Sequence, residues 1–548
     1  MKRFALVLIL FVYAASEPGA WAQPTIAANG VRNSGSYAFP ALPNGSIAEG
    51  SIFVVFGTDL GPAKIVQVSS FPLPTTQGLS GTSIQVTVNG TTVDAIMLYT
   101  LATQVAAVLP SDTPLGSGML TVTYNGQTSN SVPINVVKSS FGIFAVNQSG
   151  SGQGVFQNVI SQTDRPFNSS TVVAQPGQVI ILWGTGLGPV SGIEQDGPLP
   201  GNIGGLDIHV YVAGVEAQIQ YNGRSGCCVG DDQIVFVVPA GVQGCSLPVY
   251  VQIGAIISNF VTMAVGPDAS SCPNPDALSG SLLATAQQKG GLNVGDLSVG
   301  RFITVSEKSQ RNDNVFADFE FIPLVDLGAP PVQEGACSIG TFPGGGAGGG
   351  GGAPRGLEAG NVTAATPVGS YPLPEVQGQP GDYGITFFPG YPNPAPTGII
   401  NNGTVLTPGT TTFTWTGGSG VSGGSGSIDF PVSFQVTSAT VTTIDRSQGL
   451  TITWTGATKG AIVSFSLQSQ VSAGVGAALS CSVDAALGKF TISSALLSAL
   501  PPSYSASGTA TGAFSVSERF TGSFTAPGID IGITEFTETV DFSPVVIK

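Results

Sequence analysis

One phrase occurs twice in this chain and constrains the fold more than any other feature. It reads GSIFVVFGTDLGP at Gly50–Pro62 and GQVIILWGTGLGP at Gly177–Pro189. Further matched blocks follow each copy in the same order: Leu73-Pro74 with Leu199-Pro200, Ser83–Gly90 with Asp207–Gly214, Gln104–Pro110 with Gln233–Pro239, and Ser129–Val137 with Ser258–Val265. Such an ordered recurrence is hard to obtain by chance, so the chain contains two copies of one domain of roughly 110–130 residues.

The repeated blocks predict β-strands. In SIQVTVNG, Ile84, Val86 and Val88 alternate with polar residues, as in a strand with one buried face. Ile52–Phe56 and Val179–Trp183 are unbroken apolar runs, as expected for strands buried between two sheets. We interpret the glycines that follow as permitting a sharp chain reversal. No helical pattern follows them, which argues against a phosphate-binding loop, and short strands with many turns predict a β-sandwich.

The ordered motifs resemble a known family. They are GSIFVVFGTDLGP, the Leu-Pro after it, VTVNG, the run that ends in Pro110, the Ser-Asn pair, and FGIFAVNQSGSGQGVFQN at Phe141–Asn158. Together they resemble a large paralogous group of exported acidobacterial proteins with a Solibacter-type C-terminal domain, related to the TIG/IPT immunoglobulin-like domains. The resemblance covers residues 27–266 and implies two tandem immunoglobulin-like sandwiches. The family has no established catalytic residue or ligand that could be carried over to this chain. A long extra region follows the two modules here and departs from the family pattern.

The first residues predict export. MKR is followed by an apolar run from Phe4 to Ala15 and then by Ala20-Trp21-Ala22, the pattern of a signal peptide over residues 1–22. The apolar run is shorter than the ~20 residues that span a bilayer, so we expect cleavage before Gln23 and no membrane insertion afterwards. The formal charge of −15 disfavours nucleic acid and anionic membrane surfaces as partners. We therefore expect a secreted or cell-surface protein, with the periplasm as the alternative.

The two modules and the region behind them define three expected domains. Their bounds are 23–138 for immunoglobulin-like module 1, 139–268 for immunoglobulin-like module 2 and 269–548 for the C-terminal domain. The last region also reads as β, because Phe413 with Trp415, and Ile452 with Trp454, share one face of a strand. The expected fold class is therefore all-β: two tandem immunoglobulin-like β-sandwich modules followed by a larger C-terminal β-sandwich domain.

A glycine-rich run interrupts the C-terminal region. It reads GGGAGGGGGAPRG at 344–356, and we interpret it as a flexible surface loop. We treat 269–548 as one domain, and a division into two domains at this run is the alternative. Beyond the run, IDRSQGLTITWTG more weakly resembles the extra module of other exported proteins of the same bacteria, and this resemblance implies no activity.

Residues suited to catalysis are few. His209 is the only histidine, and strand alternation places it on a solvent face, so we expect neither a Ser-His-Asp triad nor a multi-histidine metal site. A glycosidase needs only two carboxylates. Candidate carboxylates occur, but turns and strand surfaces explain them: Glu194, Asp196, Asp231, Asp232, Asp318 and Glu320. We therefore expect no enzyme activity and no cofactor.

Exposed aromatic side chains are better candidates for contact with a ligand. We interpret DYGITFFPGYPNP at Asp382–Pro394 as a loop. Its aromatic residues form the expected ligand-contact loop: Tyr383, Phe387, Phe388 and Tyr391. Ordinary loop packing is the alternative, since isolated exposed aromatic residues are common.

The chain has six cysteines: Cys227, Cys228, Cys245, Cys272, Cys337 and Cys481. Export leads to an oxidising compartment and no C-x-x-C spacing occurs, so we expect disulfides and no metal site. Domain membership predicts that Cys337 pairs with Cys481 and that the other four pair among themselves. Adjacent side chains point in different directions on an extended chain, so we expect Cys227 and Cys228 to bridge to the other two cysteines and not to each other.

These expectations define the predicted function. It is a secreted or cell-surface, non-catalytic binding or adhesion protein, whose partner is an extracellular polysaccharide or a component of the cell envelope. One alternative is an extracellular carbohydrate-active enzyme with its site in residues 272–548, which needs two carboxylates about 5–9.5 Å apart in a cleft. The other alternative is a structural spacer that only holds domains apart.

Overall fold

A computed structural model describes residues 23–272, 280–305, 310–323, 336–343, 355–387, 405–431, 434–471, 475–503 and 512–548. The expected signal peptide, residues 344–354 of the glycine-rich run, and Phe388 and Tyr391 of the expected aromatic loop lie outside these residues. No helix in the described part of the chain has both the length and the apolar character to cross a membrane.

Module 1 is a sandwich of two sheets. Its strands are β1 (Thr25–Asn33), β2 (Ile47–Ala48), β3 (Ile52–Thr58), β4 (Val66–Gln67), β5 (Thr82–Val88), β6 (Thr91–Asp94), β7 (Ile96–Leu101), β8 (Gln104–Val108), β9 (Gly116–Tyr124), β10 (Gln127–Thr128) and β11 (Val132–Val137). One sheet has the order β1-β3-β8-β7-β4 and the other β2-β11-β9-β5-β6, with β10 beside β9. Ile84, Val86 and Val88 of β5 are buried against Phe53 and Val55 of β3, as the alternation predicted.

Module 2 repeats the sandwich with one strand shared between its layers. Its strands are β12 (Gly142–Ile143), β13 (Phe156–Asn158), β14 (Val179–Thr185), β15 (Gly201–Asn202), β16 (Ile208–Val212), β17 (Val215–Arg224), β18 (Asp232–Val237), β19 (Gly244–Ile253), β20 (Ile256–Ile257) and β21 (Val261–Val265). The sheet order is β12-β14-β18-β17-β16-β19-β20. The first part of β17 pairs with β16 and the remainder with β18, so β17 passes from one layer to the other.

A close neighbouring strand explains a glycine in each repeated phrase. Gly57 and Gly184 lie inside β3 and β14. A Cβ on Gly57 would lie 2.1 Å from the carbonyl oxygen of Thr25, and a Cβ on Gly184 would lie 2.4 Å from that of Gly142. These carbonyls belong to β1 and β12, which occupy the same place in the two modules. The interpretation of these two glycines as a chain reversal was therefore wrong, since both positions are extended strand.

The described part of the C-terminal region is also built from strands, with two short α-helices and a 3-10 helix at Ala485–Leu487. Its elements are α1 (Gly280–Lys289), β22 (Gly291–Thr304), β23 (Gln310–Pro323), β24 (Ala336–Pro343), β25 (Arg355–Gly356), β26 (Val362–Thr366), β27 (Gly369–Leu373), β28 (Asp382–Phe387), β29 (Gly409–Gly417), β30 (Ser422–Phe430), β31 (Gln435–Val436), β32 (Thr443–Ile444), β33 (Leu450–Thr455), β34 (Ile462–Gln470), β35 (Val475–Asp484), β36 (Lys489–Ile492), α2 (Ser494–Ser498), β37 (Ala513–Phe524), β38 (Ile531–Asp541) and β39 (Val546–Ile547).

One long sheet runs through this region. Its order is β24-β35-β34-β37-β38-β22-β23-β25, with β28 also beside β23. Smaller sheets are β27-β26-β29-β30, β31-β33-β36 and the pair β32-β39. Strands that precede the glycine-rich run (β22, β23, β24) and strands that follow it belong to the same long sheet, so the sheet is not divided at the run.

The smaller sheets cover the long sheet at two places and form two cores. Trp415 lies in the first core, with its ring centroid 5.2 Å from that of Phe319, and Trp454 lies in the second, 5.9 Å from Phe465. The shared faces predicted for the two tryptophan strands are confirmed. Tyr250 and Phe260 of module 2 join the second core. The all-β class, with two tandem sandwiches and a larger β-sandwich behind them, is confirmed.

Candidate functional site

A buried ion pair lies where module 1 meets module 2. Arg224 ends β17 and Asp232 begins β18, and the two side chains are 2% and 0% exposed. Arg224 Nη1 lies 2.6 Å from Asp232 Oδ1. The other oxygen of Asp232 accepts the N–H groups of Gly186 at 2.7 Å and Leu187 at 2.8 Å. This carboxylate therefore holds the second copy of the repeated phrase against the hairpin of β17 and β18.

The same cluster reaches into module 1. The Arg224 guanidinium also donates a hydrogen bond to the carbonyl oxygen of Gly50. Glu194 Oε2 accepts the N–H of Ser111 at 2.8 Å, and the hydroxyl of Thr185 accepts the N–H of Ile52 at 2.8 Å. The first copy of the repeated phrase and the second are thus bonded to one another, and these bonds fix how the two modules meet.

The interpretation of Glu194 and Asp232 as turn or surface groups was wrong. Both carboxylates are buried, and burial raises the pKa of Asp232 to about 6 and also raises the pKa of Glu194. Burial and the neighbouring Asp232 raise the pKa of Asp231 to about 7. Glu194 and Asp232 share the partner Arg224, which lies on β17. The sequence does not show this contact, because it does not show which residues of neighbouring strands lie opposite one another. The available signal was the scarcity of charge, because in a chain with 9% charged residues one hairpin carries an arginine and two aspartates.

His209 lies half-exposed on β16. Its Nδ1 is 2.6 Å from Glu216 Oε1, and its Nε2 is 3.2 Å from Asp207 Oδ1. The hydrogen bond with Glu216 raises the pKa of the imidazole. These contacts form a network of charged groups along the strand surface, in agreement with the predicted solvent-facing position.

Two disulfides follow the predicted division of the cysteines. Cys337 is bonded to Cys481, directly opposite it on β24 and β35, with Cα atoms 4.0 Å apart. Cys245 is bonded to Cys272, with Cα atoms 5.2 Å apart. The prediction that Cys337 pairs with Cys481, and that no bridge joins module 2 to that pair, is confirmed.

The prediction for the two adjacent cysteines was wrong. Cys227 is bonded to Cys228. The prediction relied on the alternation of side chains along an extended strand, but these residues lie in the bend between β17 and β18, where alternation does not apply. The two sulfur atoms are therefore free to turn to the same side of the chain.

The expected aromatic ligand-contact loop is a buried strand over its described part. Tyr383 and Phe387 lie on β28 and are 5% and 4% exposed. The Tyr383 hydroxyl accepts the N–H of Ala359 at 3.0 Å, and the Phe387 ring packs against Tyr371. The prediction was wrong for these two residues. The signal of a strand was the recurrence of apolar side chains at every second position, at Tyr383, Ile385 and Phe387.

Carboxylates form a row across the outer face of the long sheet. Asp318 on β23 is the cross-strand partner of Asp296 on β22 and of Asp382 on β28. Burial, together with Asp382 and Asp296, raises the pKa of Asp318 to about 7, and burial with Glu535 raises that of Asp296 to about 6. Burial and Asp382 also raise the pKa of Glu320. Asp296 and Asp382 were missed because a row across strands requires the register.

A cavity of about 630 Å³ lies between module 2 and the C-terminal region. Its walls come from β19, β21 and two loops of module 2, and from β24. The polar groups that line it are hydroxyls and amides, including Gln153, Asn168, Ser170, Ser246, Thr262 and Ser338. Ile339 and the small exposed part of Phe260 supply apolar surface. Among the described residues that line the cavity, none carries a charge.

Hydrogen bonds and disulfides hold the walls of this cavity. Asn168 Nδ2 donates to the carbonyl oxygen of Ala264 at 2.9 Å, and Gln153 Nε2 donates to the carbonyl oxygen of Asn168 at 2.5 Å. The Cys245–Cys272 disulfide borders the cavity on the module 2 side. Strand β24 is the terminal strand of the long sheet, and its residues Ser338, Ile339 and Gly340 line the cavity. The lining, which is uncharged and more apolar than polar, suits a neutral ligand.

No family model and no curated protein matches this sequence. Several solved structures are similar at low identity. Domains 5–6 of the S-layer protein SbsC are 13% identical, with 44% of this chain and 98% of that chain covered and a TM-score of 0.16. The Bacteroides ovatus mixed-linkage glucan utilization locus protein SGBP-B, solved with a mixed-linkage heptasaccharide, is 8% identical, with 82% and 94% covered and a TM-score of 0.14. Domains FN1–FN3 of chicken CNTN1 are 10% identical, with 72% and 91% covered and a TM-score of 0.12. At these TM-scores we draw no conclusion about function from the similarities.

Proposed function

We propose that this chain is a non-catalytic binding protein that acts outside the cell, either secreted or at the cell surface. Its proposed ligand is a neutral polysaccharide or another neutral polymer of the cell envelope, bound in the cavity between module 2 and the C-terminal region. The observation that carries the proposal is the lining of that cavity. A site without charged side chains offers an ionic ligand no partner, and desolvating an unpaired ion is costly.

The chemistry of the lining matches that of a sugar chain. The hydroxyls of Ser246, Thr262 and Ser338 provide donors and acceptors for sugar hydroxyls. Ile339 and the small exposed part of Phe260 provide apolar surface for the C–H faces of a ring. The volume of about 630 Å³ falls in the ordinary range of small-molecule sites, so the cavity has room for a short segment of a polymer.

The proposed location outside the cell has separate support. Three disulfides join the six cysteines, and disulfides persist in oxidising compartments. Residues 1–22 have the pattern of a signal peptide. The motifs of residues 27–266 also support a proposed membership of the exported acidobacterial family described above.

Filling the cavity tests the proposal. Ser246→Trp and Ser338→Trp place an indole on the two walls, one from module 2 and one from the C-terminal region. The full chain is titrated with a panel of neutral and acidic polysaccharides by affinity electrophoresis and calorimetry. We expect a neutral polymer to bind, and each variant to weaken that binding about tenfold or more, equivalent to at least 1.4 kcal/mol.

The matched control is Ser131→Trp, which adds the same indole to an exposed position of module 1. We expect it to bind the polymer as the unchanged chain does. Binding that survives both cavity variants would place the ligand elsewhere and overturn the assignment of the site. A preference for acidic polymers, or no binding across the panel, would overturn the proposed ligand class.

A second candidate function is hydrolysis of a glycosidic bond at the row of carboxylates. The observation in its favour is the cross-strand contact of Asp318 with Asp296, since cross-strand Cβ atoms lie about 4.5–5.5 Å apart and a retaining glycosidase holds its carboxyl groups about 5–5.5 Å apart. A pKa of about 7 at Asp318 beside a more acidic partner matches an acid and nucleophile pair.

Product analysis separates the two candidate functions. The same polysaccharide panel is incubated with the full chain, and new reducing ends are counted. Hydrolysis that is lost in both Asp318→Asn and Asp296→Asn, with binding at the cavity retained, would establish the enzyme. Binding without release of reducing ends supports the non-catalytic function.

A further inference from the structure

The bend between β17 and β18 places two sulfur atoms and one carboxylate together. The Sγ atoms of Cys227 and Cys228 and a carboxylate oxygen of Asp231 all lie within 4.8 Å of one another. Cys227 Sγ is 3.8 Å from Asp231 Oδ2. Both cysteines are exposed to solvent. A bridge between neighbouring residues closes no loop of the chain, so it does not stabilise the fold as a long-range disulfide does.

The two ends of this bend are fixed. At its start, the N–H of Ser225 donates to the carbonyl of Asp231 at 2.9 Å. At its end, Val229 packs into an apolar cluster with Ile52 and Val108 of module 1. The carbonyl of Gly230 accepts the hydroxyl of Thr185 at 2.7 Å. These contacts do not involve the disulfide, so the bend keeps its three groups close together when the sulfur–sulfur bond is open.

Two thiolates and a carboxylate form a suitable ligand set for a thiophilic divalent cation. Thiolates select ions such as Zn²⁺, and Cd²⁺ is a useful spectroscopic substitute. Three protein ligands with a water in the fourth position give the tetrahedral geometry that Zn²⁺ adopts in open sites. A disulfide sulfur is not a thiolate, so the oxidised pair does not provide this set.

We propose that Cys227, Cys228 and Asp231 form a redox-gated site for a thiophilic divalent cation, closed as the disulfide and open as the dithiol. A thiol reductant opens it: two reductant thiols give up two electrons and two protons, the Cys227–Cys228 bond breaks to two thiols, and the reductant becomes a disulfide. A cation then binds the two sulfur atoms and displaces their two protons, while Asp231 supplies an oxygen ligand.

Access makes the opening selective. Thiol–disulfide exchange requires an attacking thiolate to reach a sulfur atom. Cys227 and Cys228 are exposed, whereas Cys337 and Cys481 are 8% and 0% exposed and lie inside the second core of the C-terminal region. A mild reductant therefore opens the adjacent pair first, ahead of the partly buried Cys245–Cys272 bridge, while the Cys337–Cys481 bridge remains.

Titration of the full chain with Cd²⁺ tests this site. The protein is treated with a limited amount of a water-soluble phosphine, which takes oxygen from water as it reduces the disulfide, and is then desalted without air. We expect the ultraviolet sulfur-to-cadmium absorption band to saturate at one cation per reduced chain, with release of two protons. We expect no such band from the oxidised chain.

Two variants and one modification assign the ligands. Cys227→Ser/Cys228→Ser is expected to abolish the band. Asp231→Asn is expected to retain the band and to weaken Cd²⁺ binding about tenfold or more. The matched control, Asp164→Asn on an exposed loop of module 2, is expected to bind as the reduced wild type does. Alkylation of the two thiols in the reduced wild type must also abolish the band, which removes any dependence on folding of the serine variant.

Three outcomes would overturn the proposal. They are equal Cd²⁺ uptake by oxidised and reduced chains, uptake that survives alkylation of Cys227 and Cys228, and unchanged affinity in Asp231→Asn. None of these measurements uses a polysaccharide, so the outcome is independent of the function proposed for the cavity.

Discussion

Arg224 and Asp232 form an ion pair 2.6 Å long with both side chains buried, and the same guanidinium donates to Gly50 of the other module. Removing one partner of a buried pair leaves a buried charge without compensation, at a cost of about 3–5 kcal/mol. We expect Arg224→Met to lower the free energy of unfolding of the modules by about that amount. We expect Arg224→Met/Asp232→Asn to recover part of it, as measured by urea unfolding of the full chain.

Hydrogen exchange distinguishes docking from general stability in these variants. The amides of Ile52 and Ser111 donate across the junction to Thr185 and Glu194. In Arg224→Met we expect these two amides to lose protection before the amides of β5 inside module 1. The control Arg165→Met removes an exposed arginine of module 2 and is expected to change neither measurement. Equal protection of Ile52 and Ser111 in both variants would contradict the role given to Arg224.

The row of carboxylates predicts a pH dependence of stability. The pKa of Asp318 is raised to about 7, whereas an unfolded aspartate titrates near 3.9. Between these values the folded chain retains a proton that the unfolded chain releases, so the free energy of unfolding falls as the pH rises through this window. We expect Asp318→Asn to remove this loss of unfolding free energy. Relative to the wild type, the variant is then more stable by on the order of 1 kcal/mol at pH 8 than it is at pH 3.5.

Thermal unfolding at the two pH values provides the measurement. The matched control is Asp164→Asn, since Asp164 is an exposed aspartate outside the row. We expect its pH profile to follow that of the wild type. A profile of Asp318→Asn that runs parallel to the wild type across the window would show that Asp318 carries no unfavourable charge in the folded chain.

The two longer disulfides are expected to contribute unequally. Cys337–Cys481 joins residues 144 apart in sequence, and Cys245–Cys272 joins residues 27 apart. The entropy removed from the unfolded chain grows with the logarithm of the loop length, which makes the longer bridge worth about 1.5 kcal/mol more. We expect Cys337→Ala/Cys481→Ala to cost more unfolding free energy than Cys245→Ala/Cys272→Ala. An equal loss of unfolding free energy in the two variants would mean that packing around the sulfur atoms outweighs the difference in loop entropy.

The strand glycines of the repeated phrase predict intolerance of any side chain. A Cβ at Gly57 or Gly184 would meet a backbone carbonyl of the adjacent strand, which cannot rotate away. We expect Gly57→Ala and Gly184→Ala each to cost about 1–3 kcal/mol in denaturant unfolding. Gly201→Ala is the control, because a Cβ there meets no atom within 4 Å. If all three substitutions cost the same, the close approach of β1 and β12 is not the reason for the glycines.

Local patterns in the sequence predicted much of the fold. Alternation placed Ile84 and Val86 inside module 1 and Trp415 and Trp454 inside the C-terminal cores, because a two-residue period survives without knowledge of the partner strand. The recurring order of blocks predicted a second module of the same kind. These features depend only on residues close together in the chain.

The candidate sites depend on register and on docking between domains, which local patterns do not contain. Asp318 meets Asp296 only because β22 and β23 pair in one register. The cavity exists only because β24 of the C-terminal region lies against β21 and the loops of module 2. The sequence predicted neither contact, and the described part of the aromatic segment that it offered as a binding loop is the strand of Tyr383 and Phe387.

The parallel pairing of β22 with β38 sets an order of events in folding. Val294–Thr304 lies beside Ile531–Asp541 throughout this pair, in the middle of the long sheet. Modules 1 and 2 complete their sheets from their own stretches of chain, so each can fold before the chain behind it has been synthesised. The long sheet instead remains incomplete until β38 has been synthesised. Until then one edge of β22 has no partner strand and is open to pairing with other chains. Pairing of β38 with β22 therefore completes the sheet and also covers the strand edge that is exposed to aggregation.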